Sequence, residues 1–500
     1  MIEHFPALQV VTPLIAAPLC VLLHRGRAAW VLALVVSWLC FGISLHMLVS
    51  VLETGEMLGY TMGGWAAPFG IEYRVDTVNA FVLVIVSGAS ALLLIAAKAS
   101  VEQEVEHERI YLFYGLWLLN LTGLLGIAIT ADAFNVFVFL EISSLSTYAL
   151  IALGKSRRAV VAAFRYLIIG TIGATFILIG IGLLYMVTGT LNMADLADRV
   201  ANITDSRVVQ AALGFLAVGI AIKMAVFPLH SWLPDSYTYA PSIVSAYLAA
   251  TATKVGIYMW LRIYFSIFGV ELVFEQLHID KVLMVVALAA IVLMSVVALY
   301  QTDVKRMLAF SSVAQIGYMV LGISYASVSG LTGTLVHLFN HALMKSALFL
   351  ALACVVYRVG TAQLGALQGI GRQMPWTLAA FVVAGFSLIG VPLTAGFISK
   401  WYLLVASLEV DSLFGAFVIV GASLTAFGYI WRLVDVMVLK PAPAGSGPVR
   451  EAPASMLIVL WVLVAANLYF GVDADTTLEV AGQAARTLLD SRFTMLGEDG

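Results

Sequence analysis

AIKMAVFPLHSWLP (residues 221–234) sets a lysine and a proline inside a run apolar enough to lie in lipid. Proline cannot donate a backbone hydrogen bond, and its ring pushes away the carbonyl four residues earlier, here that of Met224. A freed carbonyl in a bilayer needs a protein group, or water in a cavity, because lipid offers no donor. The segment therefore predicts a transmembrane helix broken at Pro228, with Lys223 beside the break. A second stretch, SLIGVPLTAGFISKW (387–401), repeats the arrangement with Pro392 and Lys400 and frees the carbonyl of Leu388. Aligning the prolines superposes FPLHSW on VPLTAG. Broken helices at matching points of two halves mark an internal repeat with a transport site at its interface. An ordinary proline kink in each helix is the plainer alternative.

Outward from these breaks, apolar runs of spanning length, ~20 residues, recur near 7–24, 28–52, 77–98, 110–130, 132–153, 160–188, 208–240, 242–267, 281–300, 306–325, 329–357, 375–408, 411–437 and 455–472. They predict an all-α polytopic membrane protein of about fourteen helices, the seventh and twelfth broken. Composition agrees: the 500 residues are 62% hydrophobic and 11% charged, against about 25% charged in soluble domains. The net charge of −3 gives no footprint for nucleic acid. Cys20, Cys40 and Cys354 stand alone in apolar segments and read as small buried hydrophobes. The run 7–23 has no basic segment before it and reads as a first anchor, not a cleaved leader. The stretches 53–76, 189–207 and 440–453 read as loops, the acidic run Glu102, Glu104, Glu106 and Glu108 as a solvated segment, and 476–492 as an amphipathic interfacial helix.

Following alternate loops, one side collects most of the basic residues, among them Arg25, Arg27, Arg109, Lys155, Arg165, Lys305, Arg306 and Arg358. The other carries Arg74, Arg199, Arg207, Arg262, Lys281, Arg486 and Arg492. The positive-inside rule makes the first side cytoplasmic and puts both termini outside.

Lys223, Lys254, Lys345 and Lys400 all fall within predicted spans. Each costs roughly 2.5–3.5 kcal/mol at a helix centre, so such lysines usually line an ion or proton path. One carboxylate, Glu141 in DAFNVFVFLEISSLSTYAL (132–150), lies comparably deep and cannot neutralise four ammonium groups. Several of the lysines are therefore expected to be neutral for part of a working cycle, which is the behaviour of a proton relay. An ion pair between Glu141 and one lysine would make that lysine's proton affinity switchable.

HLFNHALMKSAL (337–348) puts His337, His341 and Lys345 on one helix face at spacings of four. His-x-x-x-His is also a metal spacing, but no glutamate follows the first histidine and Lys345 would repel a cation; a hydrogen-bonded relay fits better. The plainer alternative is two histidines satisfying polar spots in a bundle. In AATATKVGIY (249–258), small residues around Lys254 leave room for water or for close helix contact. His230 and Asp235 follow Pro228 and are candidates for gating access. There is no Walker A sequence, dinucleotide fingerprint, haem attachment or iron–sulfur pattern. The chain is thus expected to hold no cofactor, and to exchange one gradient for another or be driven by a partner.

KMAVFPLHSWLPDSYTYAPSIVSAYLAATATKVGIY (223–258), QTDVKRMLAFSSVAQIGYMVLGI (301–323) and HLFNHALMKSALFLALACVVY (337–357) resemble the antiporter-like proton-pumping membrane subunits. That family joins the Mrp-type multisubunit cation/proton antiporters, three membrane subunits of NADH:quinone oxidoreductase, and membrane-bound hydrogenase relatives. The resemblance runs from about residue 75 to 435, and the chain's length suits the D-type Mrp component. It implies N-terminal helices over 1–108, two inverted five-helix repeats over 109–267 and 281–437, and a last helix and polar tail over 455–500. It further implies an ion pair between Glu141 and Lys223, Lys254 as a bridging lysine, His337, His341 and Lys345 as a central relay, and Lys400 as the terminal site. The partners implied are other membrane subunits of a bacterial inner-membrane complex, with H+ and Na+ or K+ as cargo. Two other readings stand beside the antiporter: a proton-pumping subunit of a redox complex, and a structural subunit that conducts nothing.

Overall fold

The computed structural model describes residues 2–442 and 447–490. It begins with six continuous helices: α1 (Phe5–Leu23), α2 (Gly26–Thr54), α3 (Thr77–Glu104), α4 (Ile110–Ile129), α5 (Ala133–Ala152) and α6 (Arg157–Thr188). After the short α7 (Met193–Ala201) come the interrupted helices α8 (Arg207–Lys223), α9 (Trp232–Tyr239), α10 (Ser242–Ala250) and α11 (Ala252–Leu261). The second half runs through α12 (Ile279–Leu299), α13 (Val304–Ser324), α14 (Val328–Val359), α15 (Pro375–Ile389), α16 (Ala395–Glu409) and α17 (Leu413–Val434). It closes with α18 (Ala454–Val472) and α19 (Asp475–Asp490). Among the described residues, eleven helices are long and apolar enough to cross a membrane unbroken. The pairs α8/α9, α10/α11 and α15/α16 account for the other predicted spans.

Side chains written into the sequence start the spans. Asp76 caps α3 by accepting from the N–H groups of Val78 and Asn79, while Asn79 accepts from the Asp76 N–H at 2.8 Å, a reciprocal box. Asp132 and Asp303 cap α5 and α13 with one bond each, accepting from the N–H groups of Asn135 and Arg306. Helix α13 is buried along nearly all of its length, and α14 packs against α10, α13, α15, α16, α18 and α19, so these two form the axis of the bundle.

Two clusters of charge tie the ends. At the end carrying Arg74 and Arg199, Arg262 Nη2 donates to Asp76 Oδ1 at 2.6 Å and its Nε to Tyr258 at 3.0 Å, joining the helix after α11 to α3. At the basic end, Asp235 accepts from Arg165 on α6 (2.9 Å) and from Arg306 on α13 (3.0 Å), clasping α9 between the halves.

The structure departs from the sequence expectations at five points. A third interrupted helix, α10/α11, breaks at Thr251 (φ −122°, ψ −60°) without proline or glycine, so nothing in composition announced it. The loop 53–76 contains an antiparallel hairpin, β1 (Leu58–Thr61) with β2 (Glu72–Val75), and 189–207 contains α7. Glu104 is not merely solvated: it accepts from the N–H and hydroxyl of Ser242, both at 2.9 Å, and so caps α10. Lys305 and Arg262, counted with the loops, are buried. Finally, the expected interfacial helix forms as α19 but buries Val480, Ala481, Ala484 and Leu488 while packed against α14 and α3; residue 491 onward lies outside the described residues.

A buried lysine path

Lys223 is the last residue of α8. The helix stops because Ala225 adopts φ +59° ahead of Pro228, and the Trp232 indole N–H returns to donate to the Ile222 carbonyl at 2.8 Å. The lysine donates to Ser144 Oγ at 2.8 Å and lies 3.8 Å from Glu141 Oε1, with a cavity of about 30 Å³ beside it. Both partners stand on α5 about 12–17 Å below its start, well inside the bilayer.

Glu141 is unusual in where its flank faces. Its side chain is 30% exposed, in a stripe with Phe134, Val138 and Leu145 at helical spacing along α5. A carboxylate at mid-membrane does not face lipid without a large penalty.

At the second break the sequence expectation is met directly. Lys400 Nζ donates to the Leu388 carbonyl (3.0 Å), to Ile389 (2.9 Å) and to Ser423 Oγ (3.1 Å). The ammonium group thus satisfies the carbonyls released where α15 stops before Pro392. Lys254 does the same at the third break, donating to the Ala249 carbonyl just before Thr251. Lys345 donates to the Leu308 carbonyl (2.9 Å) and Ser311 Oγ (2.5 Å) of α13. Three of the four lysines therefore bind backbone and hydroxyl oxygen, and one is paired with a carboxylate.

The histidines lie between them. His337 Nδ1 is 2.8 Å from Ser399 Oγ, one residue before Lys400, and the His337 and His341 rings stack at 6.0 Å, 11° from parallel. Lys400 lies 5.0 Å over the Tyr318 ring, which is itself 5.7 Å from His337. Both nitrogens of His341 and Nε2 of His337 have no protein partner, and Lys254 and Lys345 are each close enough to act on His341 electrostatically. Proton transfer along this row requires bridging water, since the protein supplies no continuous chain of hydrogen bonds. Among the described residues no cluster of His, Cys, Asp and Glu could hold a metal.

His230 and Asp235 do not join the row. His230 stacks on Phe227 at 5.6 Å and meets Phe310 edge-on at 6.3 Å, and Asp235 is held in the clasp at the basic end.

Several residues near the path went unremarked in the sequence. Asn467 on α18 accepts from Ser387 Oγ at 2.9 Å, and Ser387 in turn accepts from the Gly396 N–H at 3.1 Å, latching α15 to α16 across the break. The signal was present as one asparagine in the apolar run LWVLVAANLYF (460–470). Asn340 likewise donates to the Ala395 carbonyl at 2.6 Å. Gly396 sits so close that a Cβ would collide with the Ser387 carbonyl. Gly396→Ala is accordingly expected to destabilise the protein by about 3 kcal/mol. Thermal unfolding of the solubilised protein checks this against Gly421→Ala, where a Cβ meets nothing within 4 Å and no loss is expected.

Comparison with known proteins identifies the family and fold to which the chain belongs. Residues 130–425 match the family described as NADH:quinone oxidoreductase/Mrp antiporter, TM. The chain is 42% identical over 480 residues to NADH-quinone oxidoreductase subunit N of Desulforudis audaxviator, covering 93% of this chain and 94% of that one. It is 29% identical over 455 residues to the D-type component of the Na(+)/H(+) antiporter of Alkalihalophilus pseudofirmus, covering 90% and 89%. Its fold superposes on a chain of the Mrp complex from Dietzia sp. DQ12-45-1b with a TM-score of 0.89 at 26% identity, over 98% of both chains. Similar in sequence along nearly its whole length and in fold, this multi-pass membrane chain belongs to the NADH:quinone oxidoreductase/Mrp antiporter transmembrane family.

Proposed function

We propose that the chain is the proton-translocating subunit of a multisubunit monovalent cation (Na+ or K+)/H+ antiporter, a secondary transporter component and not an enzyme in its own right. The observation that carries this reading is Glu141: its Oε1 is buried 3.8 Å from Lys223, yet 30% of the side chain is left open on an apolar flank of α5. A membrane carboxylate so placed is complete only when a neighbouring subunit covers it. The likeness to the D-type component of a Na(+)/H(+) antiporter and to an Mrp complex chain supports the partner type.

In this reading the chain lies in a bacterial inner membrane with its basic end cytoplasmic and both termini outside. Residues 109–267 and 281–437 are assigned to two repeats of opposite orientation, following 1–108 and preceding 455–500. A proton entering the first repeat protonates Lys223. Its charge, balanced by Glu141, is passed through Lys254, Lys345, His341 and His337 to Lys400, which releases a proton to the opposite side. His230 and Asp235 control access at the basic end. A cation moving the other way draws on the same electrostatic coupling.

The 42% identity to a NADH-quinone oxidoreductase subunit N favours a second reading, in which electron flow in a partner complex drives the same relay. Everted vesicles containing the chain and its genomic partners separate the two. Na+- or K+-dependent dequenching of a pH dye is expected for the antiporter. No cation response, with a proton gradient on adding NADH, would assign the chain to a redox pump.

A further inference from the structure

We propose that an anionic phospholipid binds in the groove between α1 and α5, its acyl chain on α4 and its headgroup at Arg109. Helices α1 and α5 both pack on α4 and leave between them a gap of about 980 Å³, at the upper end of the ~300–1,000 Å³ usual for ligand clefts. The walls are apolar, with Ile15 and Pro18 on α1, Leu116 and Leu119 on α4 and Ala152 on α5; the charged group lining the groove is Arg109, at its mouth.

The depth of the groove selects the occupant. From Ile110 to Leu119 along α4 is about 14 Å, close to half of a hydrocarbon core ~30 Å thick. Beyond that point the groove shuts, because Gly123 has no Cβ and lets the α5 backbone at Phe139 and Ser143 come against α4. A transmembrane helix of a neighbouring subunit needs a furrow through the whole bilayer, whereas an acyl chain needs the depth of one leaflet.

Charge selects the headgroup. The loop carrying Arg25 and Arg27 is held beside Arg109, since His24 stacks on Tyr111 at 4.8 Å and Gly26 lies against Ile110. Of these arginines, Arg109 is paired with Glu106 in the short segment before α4. The 3.1 Å pair of Arg109 with Glu106 has more than half of each side chain exposed, so a phosphate can replace the carboxylate at little loss. Guanidinium groups at headgroup level are the usual means of selecting anionic lipid.

The test uses the full chain in its complex, reconstituted in nanodiscs of phosphatidylglycerol and phosphatidylcholine, with retained lipid counted by native mass spectrometry after detergent extraction. Wild type is expected to keep phosphatidylglycerol in preference to phosphatidylcholine. Arg109→Gln should cut that preference about fivefold, the worth of one basic residue near the surface. Leu116→Trp, which fills the groove from its α4 wall, should abolish retention of either lipid. Equal retention in all three proteins would overturn the proposal. So would efficient cross-linking of a Leu116→Cys variant to a partner subunit, which would put a protein segment in the groove.

Discussion

Lys223→Arg is expected to abolish coupled proton movement as completely as Lys223→Ala, although the arginine keeps the charge beside Glu141. The pair at 3.8 Å and the hydrogen bond to Ser144 require a cation at this point, and arginine supplies one with more donors than lysine. Arginine does not give up its proton in a protein, whereas a lysine in a desolvated site can. A purely structural ion pair would therefore survive the substitution, and a proton carrier would not. Dye dequenching in everted vesicles, normalised to the amount of assembled complex, should fall to background in both variants. Retention of most of the wild-type rate by Lys223→Arg would reduce Lys223 to a positioning charge. The same pair of substitutions at Lys400 should behave alike, because its backbone acceptors are met by either cation but its proton is released only from lysine.

A loss of stability as large as that of Gly396→Ala is expected from Arg262→Ala. Its guanidinium and the Asp76 carboxylate are both almost fully buried, 2.6 Å apart, and Asp76 also holds the start of α3. Removing one member of a buried ion pair costs about 3–5 kcal/mol because the other charge is left behind. Arg74 lies in the same cluster and softens the loss, which places the expectation near 3 kcal/mol. The effect carries a pH signature. Burial pushes the Asp76 carboxyl up, but the Arg262 guanidinium and the N–H groups of Asn79 and Val78 outweigh it and hold the group below its ordinary value. A depressed carboxyl stabilises the fold above its unfolded value and loses that contribution as pH falls through its folded value. Heat-resistance profiles of wild type and Arg262→Ala should thus lie furthest apart near neutral pH and converge in acid. A gap that did not change with pH would mean that Arg262 acts by packing alone.

What could be read in the residues beforehand follows from how local each determinant is. Proline states its effect within four residues, so the breaks at Pro228 and Pro392 and the release of the Leu388 carbonyl were legible from one stretch each, while its capture by Lys400 came from the structure. The break at Thr251 was not. It arises where Lys254 takes the Ala249 carbonyl inside a tightly packed core, and no residue there is a helix breaker in isolation. The depth of the lysines was equally plain from hydropathy, because a charge in a long apolar run has few alternatives. Their partners were harder to foresee: Ser311, Ser423 and the Leu308 carbonyl come from a neighbouring helix and not from the lysine's own, and a serine in a membrane helix is too common to stand out. Glu104 shows the opposite error. Four glutamates on alternate positions look like a hydrated run, yet one of them turns inward to hold the α10 terminus.

The breaks held by lysine have a mechanical consequence. An ammonium group and a neutral amine both retain N–H bonds to give, so the carbonyls of Ala249, Leu388 and Ile389 can keep a donor whether or not the proton has left. A carboxylate-bound cation lacks that indifference, since its partner is stranded as soon as the charge departs. The carbonyl-held joints therefore work like hinges whose pins stay in place through every turnover. Only the joint at Glu141 and Lys223 is pulled tight or slackened by each passing charge.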